Sequence, residues 1–110
     1  MSDVIVVFVT ASSEAEATRL AEAAVGARLA ACANIVAPVR SIYRWKGEVC
    51  RAEEHLLLLK TTRGRLDDLS ALINAEHSYE LPEVLAVPAT GGSAAYLSWI
   101  ARESGPEETS

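Results

Sequence analysis

The stretch from Cys32 to Thr62 constrains this chain more than any other. Two long extended runs, Cys32–Trp45 and Glu48–Thr62, flank the dipeptide Lys46-Gly47. Gly47 tolerates the positive φ that tight turns need, so the segment reads as an antiparallel hairpin closed by a two-residue turn. With that turn Tyr43 faces Cys50, Arg40 faces Glu53 as an opposite-charge pair, and Cys32 faces Thr61. Strands of about fourteen residues exceed the usual length. In a chain of 110 residues, the size of a single domain, their turn-proximal halves have no core beneath them and must project. Pro38 cannot donate to a ladder, which places it at a bulge or an edge.

The flanking segments supply the rest of a sheet. Val4–Val9 is six consecutive apolar residues, mostly β-branched, as in a strand covered on both faces. Ser13 and Glu16 make a capping box before a helix whose stripe is Ala17, Leu20, Ala21, Ala24 and Ala27, with Glu16, Arg19 and Glu22 off it. Leu66, Leu69, Leu72 and Ile73 mark a second helix, beginning after Gly64. A loop, His77–Pro82, leads to a short strand over Glu83–Pro88. Ser93 caps a last helix through Tyr96, Leu97, Trp99 and Ile100, and Gly91-Gly92 before it, placed where an anion cradle could stand but without the P-loop lysine or GxGxxG spacing, reads as helix punctuation by default. The order β-α-β-β-α-β plus a terminal helix is an α+β, ferredoxin-like pattern: one antiparallel sheet with two helices on one face. Residues 1–102 form the domain, and 103–110 read as an acidic, disordered tail.

Composition narrows the function classes. The net charge is −5, but Asp3, Glu103, Glu107 and Glu108 lie at the ends, and residues 4–102 carry only −1. A nearly neutral domain lacks the basic footprint that nucleic acid requires. No apolar run approaches the length of a membrane span, and the N-terminus has no signal-peptide pattern; a cytoplasmic protein is the expectation. Cys32 and Cys50 form neither a CxxC motif nor a disulfide framework. In the hairpin register they stand ~35 Å apart, far beyond disulfide reach.

Two clusters can carry chemistry. His77-x-Tyr79-Glu80-x-x-Glu83 gathers an imidazole, a phenol and two carboxylates within seven residues. Imidazole with carboxylate suits zinc or copper(II); the plainer reading has His77 ending a helix, Tyr79 anchoring the loop and the glutamates in solvent. His55 reads as a hydrogen-bonded core or edge residue. Tyr43-Arg44-Trp45 puts two aromatics on one face of the projecting hairpin, where a protein interface is the default cover and a small-molecule pocket the sharper alternative. No nucleophile or orienting group completes a catalytic set, so no enzyme is expected.

Five ordered segments resemble one family. Ala30–Ile35, Ser41–Gly47, Leu59–Thr62, His77–Glu83 and Tyr96–Ile100 are together similar to the CutA divalent-cation-tolerance proteins, over about residues 4–101. The resemblance implies a ferredoxin-like subunit in a tight homotrimer with interlocking hairpins, Tyr43 and Trp45 at the trimer interface, and a role in tolerance of copper and other divalent cations. It gathers Tyr43, Lys60, Tyr79 and Glu83 as ligand-binding candidates, and His77 with Glu80 as metal candidates, at a cleft between subunits. It implies no obligatory cofactor; copper or zinc is the metal to test. Ser78 stands where the family's loop has proline, and Val9 where some members have cysteine, which removes a soft thiolate ligand for copper(I). A scaffold trimer with indirect metal effects, and a signalling trimer like the PII proteins, are the rival readings. The short Lys46-Gly47 turn argues against the latter, whose members use a long loop there.

Overall fold

Turn chemistry sets the architecture of the computed structural model, which describes residues 3–106. Lys46 (φ 50°) and Gly47 (φ 82°) both adopt positive φ, as in a type I′ turn, whose twist matches that of the strands it joins. Strands β2 (Cys32–Trp45) and β3 (Glu48–Thr62) leave it with Trp45 opposite Glu48, Tyr43 opposite Cys50 and Arg40 opposite Glu53. The register then slips between Val36 and Val39. Ala37 and Pro38, joined by a cis peptide, together oppose His55, a bulge that accommodates a residue with no N–H to donate. Beyond it Cys32 faces Lys60, which corrects the Thr61 pairing expected from an unbroken ladder. Both cysteines are free thiols. His55 pairs with Ala11 in the neighbouring strand. Its Nδ1 is buried without a hydrogen-bond partner among the described residues, contrary to the bonded role expected for it.

The sheet has the order β2-β3-β1-β4, with β1 at Val4–Ala11 and β4 at Leu85–Pro88, and every neighbouring pair is antiparallel. This is the mixed α+β class. β1 meets β3 only from His55 to Thr62. The segments Val39–Trp45 and Glu48–Glu54 therefore pair with each other alone, as an arm beyond the sheet. The molecule is correspondingly elongated, 51 × 27 × 22 Å.

Helices α1 (Glu14–Gly26) and α2 (Leu66–Glu76) cover one face, where Val7, Val9, Leu20, Leu57, Leu59, Leu69 and Ile73 are fully buried. Strand alternation sends Val6, Phe8, Leu56, Leu58 and Lys60 to the opposite face. Helix α3 (Ala94–Glu103) covers that face in part: the Lys60 ammonium donates to the Tyr96 hydroxyl at 3.1 Å, while Leu85 remains 60% exposed. β4 starts two residues later than the sequence pattern indicates, because its pairing with β1 begins at Leu85 opposite Phe8; Glu83 and Val84 stay in the preceding loop. α2 likewise begins after a single 3₁₀ turn, Arg63–Arg65.

Two helix ends reach across the molecule. Ser13 Oγ accepts from the Glu16 N–H at 3.1 Å, but the Glu16 carboxylate returns to the Ser12 N–H at 3.3 Å. Glu16 is itself buried, not off the stripe as its spacing indicated. α1 stops where Arg28 takes φ 59° and the Leu29 and Ala30 N–H groups turn back to Ala24 O. The Arg28 guanidinium then donates to Gly105 O at 2.7 Å and Arg102 O at 2.8 Å. Glu103 thus belongs to α3 and Ser104 is buried, so the chain expected to be a free tail from residue 103 is held at Glu103–Gly105. Residues 107–110 of that tail lie outside the described residues.

Candidate functional site

The loop from α2 to β4 crosses the junction where the arm leaves the sheet, and one side chain fixes it there. The His77 side chain has no solvent exposure. Its Nε2 lies 2.7 Å from Thr10 O, and the Tyr79 N–H donates to Nδ1 at 3.0 Å. A carbonyl can only accept and an N–H can only donate, so the ring is neutral with its proton on Nε2. Glu16 secures the next residue: its Oε2 accepts from the Ser78 N–H at 2.8 Å. Burial pushes the Glu16 carboxyl up, but hydrogen bonds from Ser78 and Ser12 outweigh it and hold the group below the usual carboxylate range. This clamp substitutes for the stiffening that a proline at Ser78 would bring.

With the loop held, a cleft of about 620 Å³ opens against the arm. Tyr43 and Trp45 from β2, Glu54 from β3, and Tyr79, Glu80 and Glu83 from the loop all line it, with Ile42, Leu81 and Pro82 as apolar wall. The Tyr79 hydroxyl donates to Glu54 Oε2 at 2.6 Å. Glu54 is 6% exposed, so this is a charge-assisted bond in a desolvated setting. Burial first, then the Glu54 carboxylate, push the Tyr79 phenol well above its ordinary range. Burial, and again the charge of Glu54, hold Glu83 above the usual carboxylate range. At the rim, the Lys46 ammonium sits 3.5 Å from Glu80 Oε2 and 5.7 Å from the centre of the Trp45 ring.

The sequence candidates therefore divide. Tyr43, Trp45, Tyr79, Glu80 and Glu83 meet in one cleft. Lys60 does not join them: it stands six positions along β3 from Glu54, about 20 Å away, bonded to Tyr96. His77 lies behind the cleft wall and does not line it. A copper or zinc ion on His77 and Glu80 does not fit this arrangement, because both ring nitrogens are engaged within the fold and Glu80 is an exposed partner of Lys46. Among the described residues no three His, Cys, Asp or Glu side chains are grouped as a metal site. Glu54 carries no local signal that sets it apart from a solvated glutamate, and Glu16 is marked by the sequence only as the capping-box partner of Ser13, not as a clamp on this loop.

A four-stranded antiparallel sheet with three helices and a projecting two-stranded arm defines a small α+β protein with a lateral cleft. Residues 5–103 match the family model described as CutA1 divalent ion tolerance protein, and the chain belongs to that family. It is 45% identical over 100 residues to the divalent-cation tolerance protein CutA of Thermus thermophilus, covering 91% of this chain and 97% of that one. The solved Thermus structure superposes with a TM-score of 0.91 at 44% identity, over 93% of this chain and 99% of that one. The chloroplastic CutA of Arabidopsis thaliana is 45% identical over 96 residues, 87% of this chain but 53% of the relative. The chain thus spans about half the length of the plant relatives it matches. A structure described as a periplasmic CutA, from Archaeoglobus fulgidus, has a TM-score of 0.89 at 31% identity, over 93% of this chain and 99% of that one. Among the described residues no helix is long and apolar enough to cross a membrane.

Proposed function

We propose that this chain works in divalent-cation tolerance as a ferredoxin-like, non-catalytic homotrimer that takes a small ligand in the cleft between its arm and the 78–83 loop. The observation that carries the reading is the convergence of Tyr43, Trp45, Tyr79, Glu80 and Glu83 along an arm without a core of its own. Ile42 and Val49 on that arm are 64% and 53% exposed, an apolar surface of the kind that partner chains cover. A second copy and a third would supply that cover, and Lys60 would contribute to the cleft only if a neighbouring copy brought it there.

The reading needs no cofactor and no nucleic-acid or membrane partner. Copper or zinc would enter it through ligands from more than one subunit. The scaffold alternative shares the trimer and leaves the cleft idle; a PII-like signalling role has little support from so short a turn. A cytoplasmic location belongs to the proposal. Fractionation against periplasmic and cytoplasmic markers tests it, since relatives carry chloroplastic and periplasmic names.

Sedimentation equilibrium tests the assembly. The proposal expects a particle of three times the 11.7 kDa chain mass, unchanged on dilution to micromolar concentration. A monomer under those conditions would remove the assembled cleft and the reading with it.

A further inference from the structure

The cleft has a chemistry more specific than a generic pocket. Its walls are aromatic and its polar groups are carboxylates: Tyr43, Trp45 and Tyr79 face Glu54, Glu80 and Glu83. Aromatic faces and carboxylates share a preference for positive charge, the first through the ring quadrupole and the second through ion pairing. A bare divalent ion calls for several hard oxygen ligands at closely fixed distances, and these carboxylates are not grouped in that way. An organic cation needs less, since a ring face and one or two carboxylates around a diffuse charge suffice.

The fold already contains an instance of this recognition. The Lys46 ammonium occupies the rim, 5.7 Å from the Trp45 ring centre and 3.5 Å from Glu80. It is an alkylammonium held by the same two kinds of group that line the interior. The pair is exposed, with both side chains more than 70% accessible, so solvent screens it and a competing cation displaces it easily. On the loop wall, partial desolvation and then the charge of Glu54 raise the Glu83 carboxyl, and a bound cation would favour its charged form.

We propose that the cleft is a receptor for a small organic cation, an alkylammonium or guanidinium held between the Tyr43 and Trp45 rings and the Glu80 and Glu83 carboxylates, with Lys46 as a built-in competitor at the rim. This rests on the cleft being the functional surface. The occupant is an organic cation, and the metal response of the family would then be a property of the system it reports on, not of an ion held here.

The test is a titration of the full chain followed through the Trp45 indole N–H resonance and by calorimetry. The probes are 1,4-diaminobutane, its neutral counterpart 1,4-butanediol, citrate as an anion of similar size, and zinc chloride. The diamine is expected to shift Trp45 saturably while the diol does not. Glu83→Gln should weaken the diamine about five-fold or more. Lys46→Asn, which suits the turn's positive φ but removes the charge, should tighten it about two- to five-fold. A diol or citrate response equal to that of the diamine would overturn the cation proposal and leave the cleft reading standing. A shift with zinc alone would overturn it in favour of a metal ion, and unchanged diamine affinity in both variants would overturn it as well. Silence of Trp45 toward all four probes would remove both the proposal and the cleft reading.

Discussion

The Tyr79 hydroxyl donates a 2.6 Å hydrogen bond to the Glu54 carboxylate, joining the α2–β4 loop to the root of the hairpin arm. Glu54 is buried, so the bond orders both walls of the cleft at once. Tyr79→Phe would leave that carboxylate without its donor, and a buried charged group deprived of its partner costs about 1–3 kcal/mol. Urea unfolding should show the loss as a lower midpoint with an unchanged slope. An unaltered midpoint would mean that solvent replaces the hydroxyl freely and that the loop is not pinned there.

Glu16 ties the start of α1 to the same loop. Its pKa is lowered in the fold, so the native state binds fewer protons than the unfolded chain in that range. The stabilisation is present above the ordinary carboxylate value and disappears as pH falls through the lowered one. Glu16→Gln, which keeps the shape and removes the charge, should lower stability at neutral pH by about 1–3 kcal/mol and flatten the acid side of the stability profile. Parallel profiles for variant and parent would contradict this.

Glu83 has the opposite sign. Its raised pKa means that the folded state keeps a proton that the unfolded chain has already released. Stability should therefore fall as pH rises from the ordinary carboxylate value through the raised one. Glu83→Gln should abolish that decline, read from thermal midpoints across mildly acidic pH.

Arg28 combines strain with two bonds. Its φ of 59° is unfavourable for a residue with a Cβ, by roughly 1–2 kcal/mol, while its guanidinium holds Gly105 and Arg102. Arg28→Gly and Arg28→Ala both lose the bonds, but only glycine relieves the backbone. The glycine variant should be the more stable by about 1 kcal/mol, and limited proteolysis should clip residues after 102 in both. Equal stability of the two would show that the backbone strain is not felt.

Trp45 offers a test of the arm. In the proposed trimer Trp45 is an anchor, and Trp45→Ala should shift sedimentation toward monomer, with helical content retained because the residue lies outside the core cluster. A trimer that persists at the same concentrations would relocate the anchor to Ile42 and Val49.

The fold was legible because its signals are local and repeated. The turn at Lys46-Gly47, the unbroken apolar run of β1 and the Ser93 cap each specify an element without knowledge of the rest. The one-residue slip between Val36 and Val39 was not legible. Pro38 announces an irregularity, but whether the extra residue lies in β2 or β3 depends on how β1 aligns against β3. The cleft was half legible. Tyr43 and Trp45 are conspicuous aromatics, whereas Glu54 is one of two adjacent glutamates, distinguished only by lying opposite Val39 on the face that carries Tyr43. His77 does end its helix, as the plainer reading has it, but the metal reading fails for a physical reason: a histidine beside carboxylates has the composition of a metal site, and only the positions of Thr10 O and the Tyr79 N–H show that its nitrogens are already taken.

The division of the 77–83 cluster, with His77 inward as a lock and Tyr79, Glu80 and Glu83 outward as the cleft, is tested most directly at the His77 ring. Long-range proton–nitrogen correlation spectra at neutral pH report which nitrogen bears the proton, with and without zinc. The expected result is a neutral ring protonated on Nε2 whose signals do not move when zinc is added. A proton on Nδ1, or a zinc-dependent shift of either ring nitrogen, would contradict the lock and return His77 to the metal.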